Sequence, residues 1–198
     1  MLLNHLTTDL SRDPSTIYLS GDSAGGNLAL SLLSHISHPH PDSSVPRLNL
    51  ASNLAGAVFV SPWLDFDMTL SPNASRQKDL LGPVTGKKWS AAWLGSEWPH
   101  TSTSDHYNHA TTAPSSWWEG VKIDEALVVA GQDELLKDGI EKFVKRWQND
   151  VESLGGKKVE WICAVGEAHD MPSLDLQLKF EEPGIQARAI RSWLSSRL

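Results

Sequence analysis

The chain has one cysteine, Cys163, so it can form no intramolecular disulfide. It lacks any basic excess. The 17 Lys and Arg face 24 Asp and Glu, a formal net charge of −7. Lys87-Lys88 and Lys157-Lys158 are pairs of basic residues, not patches. That excludes the electrostatic footprint of a nucleic-acid binder. No apolar run reaches the ~18 residues that a membrane span needs. The opening Met1-Leu2-Leu3 passes at once to Asn4 and His5, which is not a secretory signal. A cytoplasmic location is the default expectation, although a missing upstream segment could have carried a targeting signal. What is present is ordinary for a soluble globular protein. Its 198 residues are 40% hydrophobic and 21% charged, enough for one domain with a substantial core.

The most informative stretch is Gly21-Asp22-Ser23-Ala24-Gly25-Gly26, which contains the G-x-S-x-G nucleophile elbow. Its context fits. Thr16-Ile17-Tyr18-Leu19-Ser20 is a β-branched and aromatic run, expected as a buried strand, and Asn27 to Leu33 reads as helix. A serine on a sharp turn between them projects its hydroxyl from the sheet. Gly21 and Gly25 are expected to leave room for close backbone approach.

Partners for Ser23 are expected downstream, acid first and histidine second. Glu125 to Ala130 is an apolar strand followed by Gly131-Gln132-Asp133-Glu134, which puts Asp133 just past a strand's carboxyl end. Lys158 to Ala164 is another strand, and it leads to Gly166-Glu167-Ala168-His169-Asp170. In a parallel sheet all carboxyl ends lie along one edge, so Ser23, Asp133 and His169 can meet there. The chemistry needs that set: His169 would take the proton of Ser23, and a carboxylate would orient the imidazole. Glu134 is the alternative acid. Asp133 could instead cap the helix that follows it.

These blocks, with Ser61-Pro62-Trp63, resemble the hormone-sensitive-lipase-like branch of the α/β-hydrolase superfamily, especially its fungal esterase-type members. The resemblance runs from about Ser15 to the end. It implies Ser23 as nucleophile, Asp133 as acid, His169 as base and the Ala24 N–H in the oxyanion hole. It also implies that residues 63–120 help form the substrate-facing side, with Trp63 a candidate substrate contact. The chain departs from the family upstream. Only 22 residues precede Ser23, and they contain no His-Gly-Gly oxyanion motif. They also leave no room for the four strands the family has before the elbow. The expectation is therefore an incomplete α/β-hydrolase fold, the C-terminal two-thirds, whose elbow strand has an unpaired edge. A truncated product, a gene-model error or a partner-dependent fragment would each give such a chain.

Between these blocks, the segment from Trp63 to about Gly120 is irregular, with a short helix near Lys87 to Leu94. Longer helices are expected over Asp138 to Leu154, capped by Gly155-Gly156, and over Pro183 to Leu198. Asn4 to Leu10 should form the last turns of a helix, ended by Asp13-Pro14. Other motifs admit competing readings. Asp65-Phe66-Asp67-Met68-Thr69 has the D-x-D-x-T form of aspartyl phosphatases that use magnesium. The serine turn could cradle a phosphate, but it lacks a P-loop's Lys-Ser/Thr ending. His35, His38 and His40 lie at a helix end passing into a Pro-rich loop, and His100, His106 and His109 in the irregular segment; neither group suggests fixed metal geometry. Asn73-Ala74-Ser75 is a formal glycosylation sequon. Of the nine tryptophans, Trp147, Trp161 and Trp193 are expected in the core, and Trp63, Trp89, Trp93, Trp98, Trp117 and Trp118 in or beside the insertion. Cys163 is expected as a buried small hydrophobe.

The combined reading is one α/β domain over residues 1–198. A mainly parallel sheet of about four strands is flanked by helices and carries an insertion at about 63–120. It would hydrolyse a small-molecule carboxylic ester through an acyl-enzyme, with no cofactor or metal and no nucleic-acid partner. The alternative is a catalytically inactive remnant or binding subunit.

Overall fold

The computed structural model describes residues 2–66, 78–95, 105–114, 116–152 and 158–198. Asp67, Met68, Thr69, the Asn73-Ala74-Ser75 sequon, Trp98, His100 and Gly155-Gly156 lie outside the described residues. The elements run in the order α1 (Leu2–Asn4), β1 (Tyr18–Asp22), α2 (Ser23–Ser37), β2 (Leu54–Val60), α3 (Pro83–Leu94), β3 (Ile123–Gly131), α4 (Lys137–Glu152), β4 (Lys158–Ala164), α5 (Met171–Leu178) and α6 (Ile185–Ser195). A π-helical turn, His5–Asp9, follows α1, and a 3-10 turn, Pro14–Thr16, precedes β1.

The four strands form one parallel sheet in the order β1-β2-β3-β4. β2 is apolar and buried throughout, and β3 is so from Ala126 onward, because both faces of the sheet are covered there. Successive side chains alternate faces. Ala57, Phe59, Ala126, Val128 and Ala130 belong to the larger core cluster, with Leu30 and Leu33 of α2 and Ile140, Phe143, Val144 and Trp147 of α4. Val58, Val60, Leu127 and Val129 pack with Trp193 of α6 on the other side. Trp118 joins the larger cluster from the irregular segment, its ring 5.2 Å from Phe143 and 5.8 Å from Trp147.

Both outer strands correct the sequence reading. β1 starts two residues later than the expected run and is not buried: Tyr18 and Leu19 are half-buried and Ser20 is exposed. It is an edge strand, paired only with β2 among the described residues. β4 is the opposite edge, so Trp161 and Cys163 are half-buried instead of core. Burial raises the Cys163 thiol pKa, which keeps it protonated at neutral pH. The short helix within the irregular segment starts earlier than expected, at Pro83, and a further helix, α5, follows the His169 loop.

The strand register sets the position of the site. Asp22 pairs with Val60, Val60 with Val129, and Gly131 with Ala164. The loops after all four strands therefore open on one edge of the sheet.

Candidate active site

The first loop is the elbow. Ser23 sits at φ 51°, left-handed backbone that a non-glycine residue adopts only at a cost, as the first residue of α2. Two glycines allow the tight turn. A Cβ on Gly21 would run into the carbonyl of Gly25, and one on Gly26 would meet Pro62 Cβ at 2.7 Å. Gly25 does not have the expected role: a Cβ there would touch only Asp22 Oδ1, at an ordinary 3.6 Å. The elbow is tied to the loop after β2. The Trp63 N–H donates to the Ser23 carbonyl at 2.9 Å, and Asn27 Nδ2 donates to the Trp63 carbonyl at 2.8 Å. Trp63 is itself 6% exposed and its indole packs edge-on against Phe66, so the residue meets the elbow through its backbone. Ala24 is the second residue of α2, where helical N–H groups have no intrahelical acceptor.

The loop after β4 brings His169 to the elbow, with Nε2 2.9 Å from Ser23 Oγ. The residue is 5% exposed. Burial holds its pKa below the ordinary value, while the charges of Asp79 and Asp22 oppose that shift. The imidazole is thus neutral at pH 7 and able to accept a proton on Nε2.

The loop after β3 sets Glu134, the alternative acid, against His169. The Asp133 carboxylate pairs with Lys78 Nζ at 3.8 Å. Glu134 takes the inner position. It is fully buried, and its Oε2 lies 3.8 Å from His169 Nδ1. The same oxygen accepts from Ser61 Oγ at 2.6 Å and from the Gly131 N–H at 3.1 Å. Burial pushes the Glu134 pKa up to about 8, against those two hydrogen bonds. Glu134 Oε1 and His169 Nδ1 are both buried without a hydrogen-bond partner. A hydrogen bond between them would pair a ring N–H with a carboxylate oxygen. Such bonds are often long before substrate arrives.

Ser61 was missed as a site residue. It follows the wholly buried β2 at φ 44°, is itself 0% exposed, and also accepts from the Asp170 N–H at 3.1 Å. The signal for it was a hydroxyl closing an otherwise apolar run. The loops after β3 and β4 are laced together as well: Gln132 N–H donates to Ala164 O at 2.8 Å and Asp133 N–H to Glu167 O at 3.0 Å. Gly131 permits this approach, since a Cβ there would strike the Glu167 and Ala168 carbonyls. The Glu167 carboxylate in turn accepts from the Ile185 and Gln186 N–H groups, anchoring the N-terminus of α6 to the His169 loop.

The remaining sequence candidates have other partners. Asp65, from the D-x-D-x-T motif, lies 3.2 Å from His109 Nε2. His35 Nε2 is 2.9 Å from the Pro46 carbonyl, and His38 stacks on Trp117.

The fold has close counterparts among solved structures. A hormone-sensitive lipase from a metagenome library superposes with a TM-score of 0.68 at 20% identity, covering 99% of this chain and 59% of that one. Carboxyl esterase 2 from the mycorrhizal fungus Tuber melanosporum gives 0.64 at 22% identity, with 94% and 55% covered. An esterase/lipase from an uncultured bacterium gives 0.62 at 22%, with 87% and 50% covered. The chain thus spans between half and three-fifths of the length of these proteins. No curated protein sequence matches it. Residues 1–173 match the family model described as alpha/beta hydrolase fold, and the chain belongs to that family.

Proposed function

We propose that the chain is a serine hydrolase acting on small-molecule carboxylic esters. The observation that carries this reading is the 2.9 Å contact between His169 Nε2 and Ser23 Oγ, made by a serine at φ 51°. Ser23 Oγ attacks the ester carbonyl carbon while its proton passes to His169 Nε2. The imidazolium donates its Nδ1–H to the Glu134 carboxylate, which takes the place given to Asp133 by the sequence. The Ala24 N–H donates to the oxyanion of the tetrahedral intermediate. That intermediate collapses by breaking the C–O bond, and His169 returns the proton to the departing alcohol. Water then attacks the acyl-enzyme with His169 again as base, releasing the acid and free Ser23. The esterase and lipase counterparts support the ester as substrate class.

The test is hydrolysis of p-nitrophenyl acetate with Ser23→Ala as control. The reading expects a burst of one p-nitrophenol per chain followed by slower turnover, both abolished in the variant. Release at the same rate from the wild type and the variant refutes it. A folded chain with neither burst nor turnover supports the inactive alternative.

A further inference from the structure

Asp79 lies in the irregular stretch between β2 and α3, far in sequence from both loops it touches. Its Oδ2 accepts from the Leu135 N–H at 2.6 Å, and its Oδ1 accepts from the His169 N–H at 3.1 Å. Leu135 is the residue after Glu134. One carboxylate therefore satisfies a main-chain donor beside the inner acid and a main-chain donor of the histidine. Leu135 and His169 are each 5% exposed, so neither N–H can turn to bulk water if the carboxylate is lost.

We propose that Asp79 is a positioning residue, a clasp from the irregular segment that holds the Glu134 and His169 loops at their working separation. This rests on the reading of Ser23, His169 and Glu134 given above. The gap it controls is narrow. The Glu134–His169 separation of 3.8 Å must shorten for a hydrogen bond, and loosening either loop lengthens it. The clasp also contributes charge. His169 is faced by Asp22 from the end of β1, by Glu134 from the loop after β3, by Asp79, and by its neighbour Asp170. The Asp79 charge raises the pKa of both His169 and Glu134.

The experiment compares wild type, Asp79→Asn and Asp79→Ala. Asparagine keeps one acceptor oxygen and loses the charge; alanine removes both acceptors. Amide exchange is read first, because it does not depend on activity. The Leu135 and His169 amides should be protected in the wild type and should lose protection in Asp79→Ala by at least about tenfold. The rate of fluorophosphonate attachment to Ser23 should then fall about 10-fold in Asp79→Asn and about 100-fold in Asp79→Ala, an effect of misplacement on rate. The acid limb of its pH profile should move to lower pH in Asp79→Asn. A merely structural role would lower the labelled fraction without moving the limb. Unchanged exchange at both amides overturns the clasp, as do wild-type labelling rates with an unmoved limb in a folded variant. If Asp79→Ala does not fold, Asp79→Asn decides by the same readouts. Lost amide protection with no labelling of the wild type would support the clasp as a structural contact and overturn the hydrolase reading instead.

Discussion

Replacing Glu134 by glutamine should cost about three decades in rate, while replacing Asp133 by asparagine should cost almost nothing. The magnitude follows from the geometry. Glu134 Oε2 stands 3.8 Å from His169 Nδ1, and the pair is buried. At an effective dielectric of ~20, a carboxylate facing an imidazolium at that distance is worth about 4 kcal/mol. That charge is present on His169 only while Ser23 has given up its proton. The stabilisation therefore belongs to the transition state and should appear in the rate, about 10³-fold. The glutamine amide also offers an N–H where an acceptor is needed, which favours the wrong imidazole tautomer. Asp133, by contrast, would lose only its pairing with the exposed Lys78, a contact of small worth. The assay is the second-order rate of fluorophosphonate attachment at pH 8 for wild type, Glu134→Gln and Asp133→Asn, with circular dichroism to confirm folding. The reasoning is refuted if Asp133→Asn loses the three decades and Glu134→Gln keeps its rate.

Further outcomes follow from the same contacts. Glu134 has a folded pKa of about 8, above its value of 4.5 when unfolded, so its contribution to stability is fully present below pH 4.5 and is lost as pH rises towards 8. The melting temperature of Glu134→Gln relative to wild type should therefore climb from pH 5 to pH 8, by on the order of 10 °C; a pH-independent difference would contradict the burial account. Because ionised Glu134 is needed, ester hydrolysis should rise with pH up to about 8, and removing the Ser61 donor should push that limb higher still. Ser61→Ala and Ser61→Gly should each lose roughly 10–100-fold at pH 7, the worth of a hydrogen bond to a charged group; the glycine variant separates this from strain at φ 44°. Gly131→Ala should displace the His169 loop through collision with the Glu167 and Ala168 carbonyls, and lower the labelling rate by about 10²-fold. An unchanged rate there would show that the loop yields without consequence.

The parts of the site legible in the sequence were those set by local chain chemistry. A glycine-flanked serine between a strand and a helix, and a histidine after the last strand, reached the same sheet edge because parallel strands send all their carboxyl ends one way. The choice between Asp133 and Glu134 was not legible. Adjacent residues point in different directions, and the turn after Gly131 decides which one goes inward. Here the inner position is marked by Ser61 and the Gly131 N–H, one of them seventy-three positions away. Asp79 left no signal, since its partners are main-chain donors that any residue would supply. The exposure of β1 and β4 was missed for a related reason. An apolar run shows that a strand is suited to burial, whereas its place in the sheet order determines how much burial it receives. Trp118 shows the converse, a core residue hidden in a segment without periodicity.

The most direct test of the central claim is the intact mass of the purified chain after reaction with a fluorophosphonate, with Ser23→Ala alongside. The account predicts a single adduct on the wild type, absent from the variant, whose formation slows as His169 is protonated. A folded wild-type chain that takes up no label, or a Ser23→Ala chain that labels equally well, would contradict it.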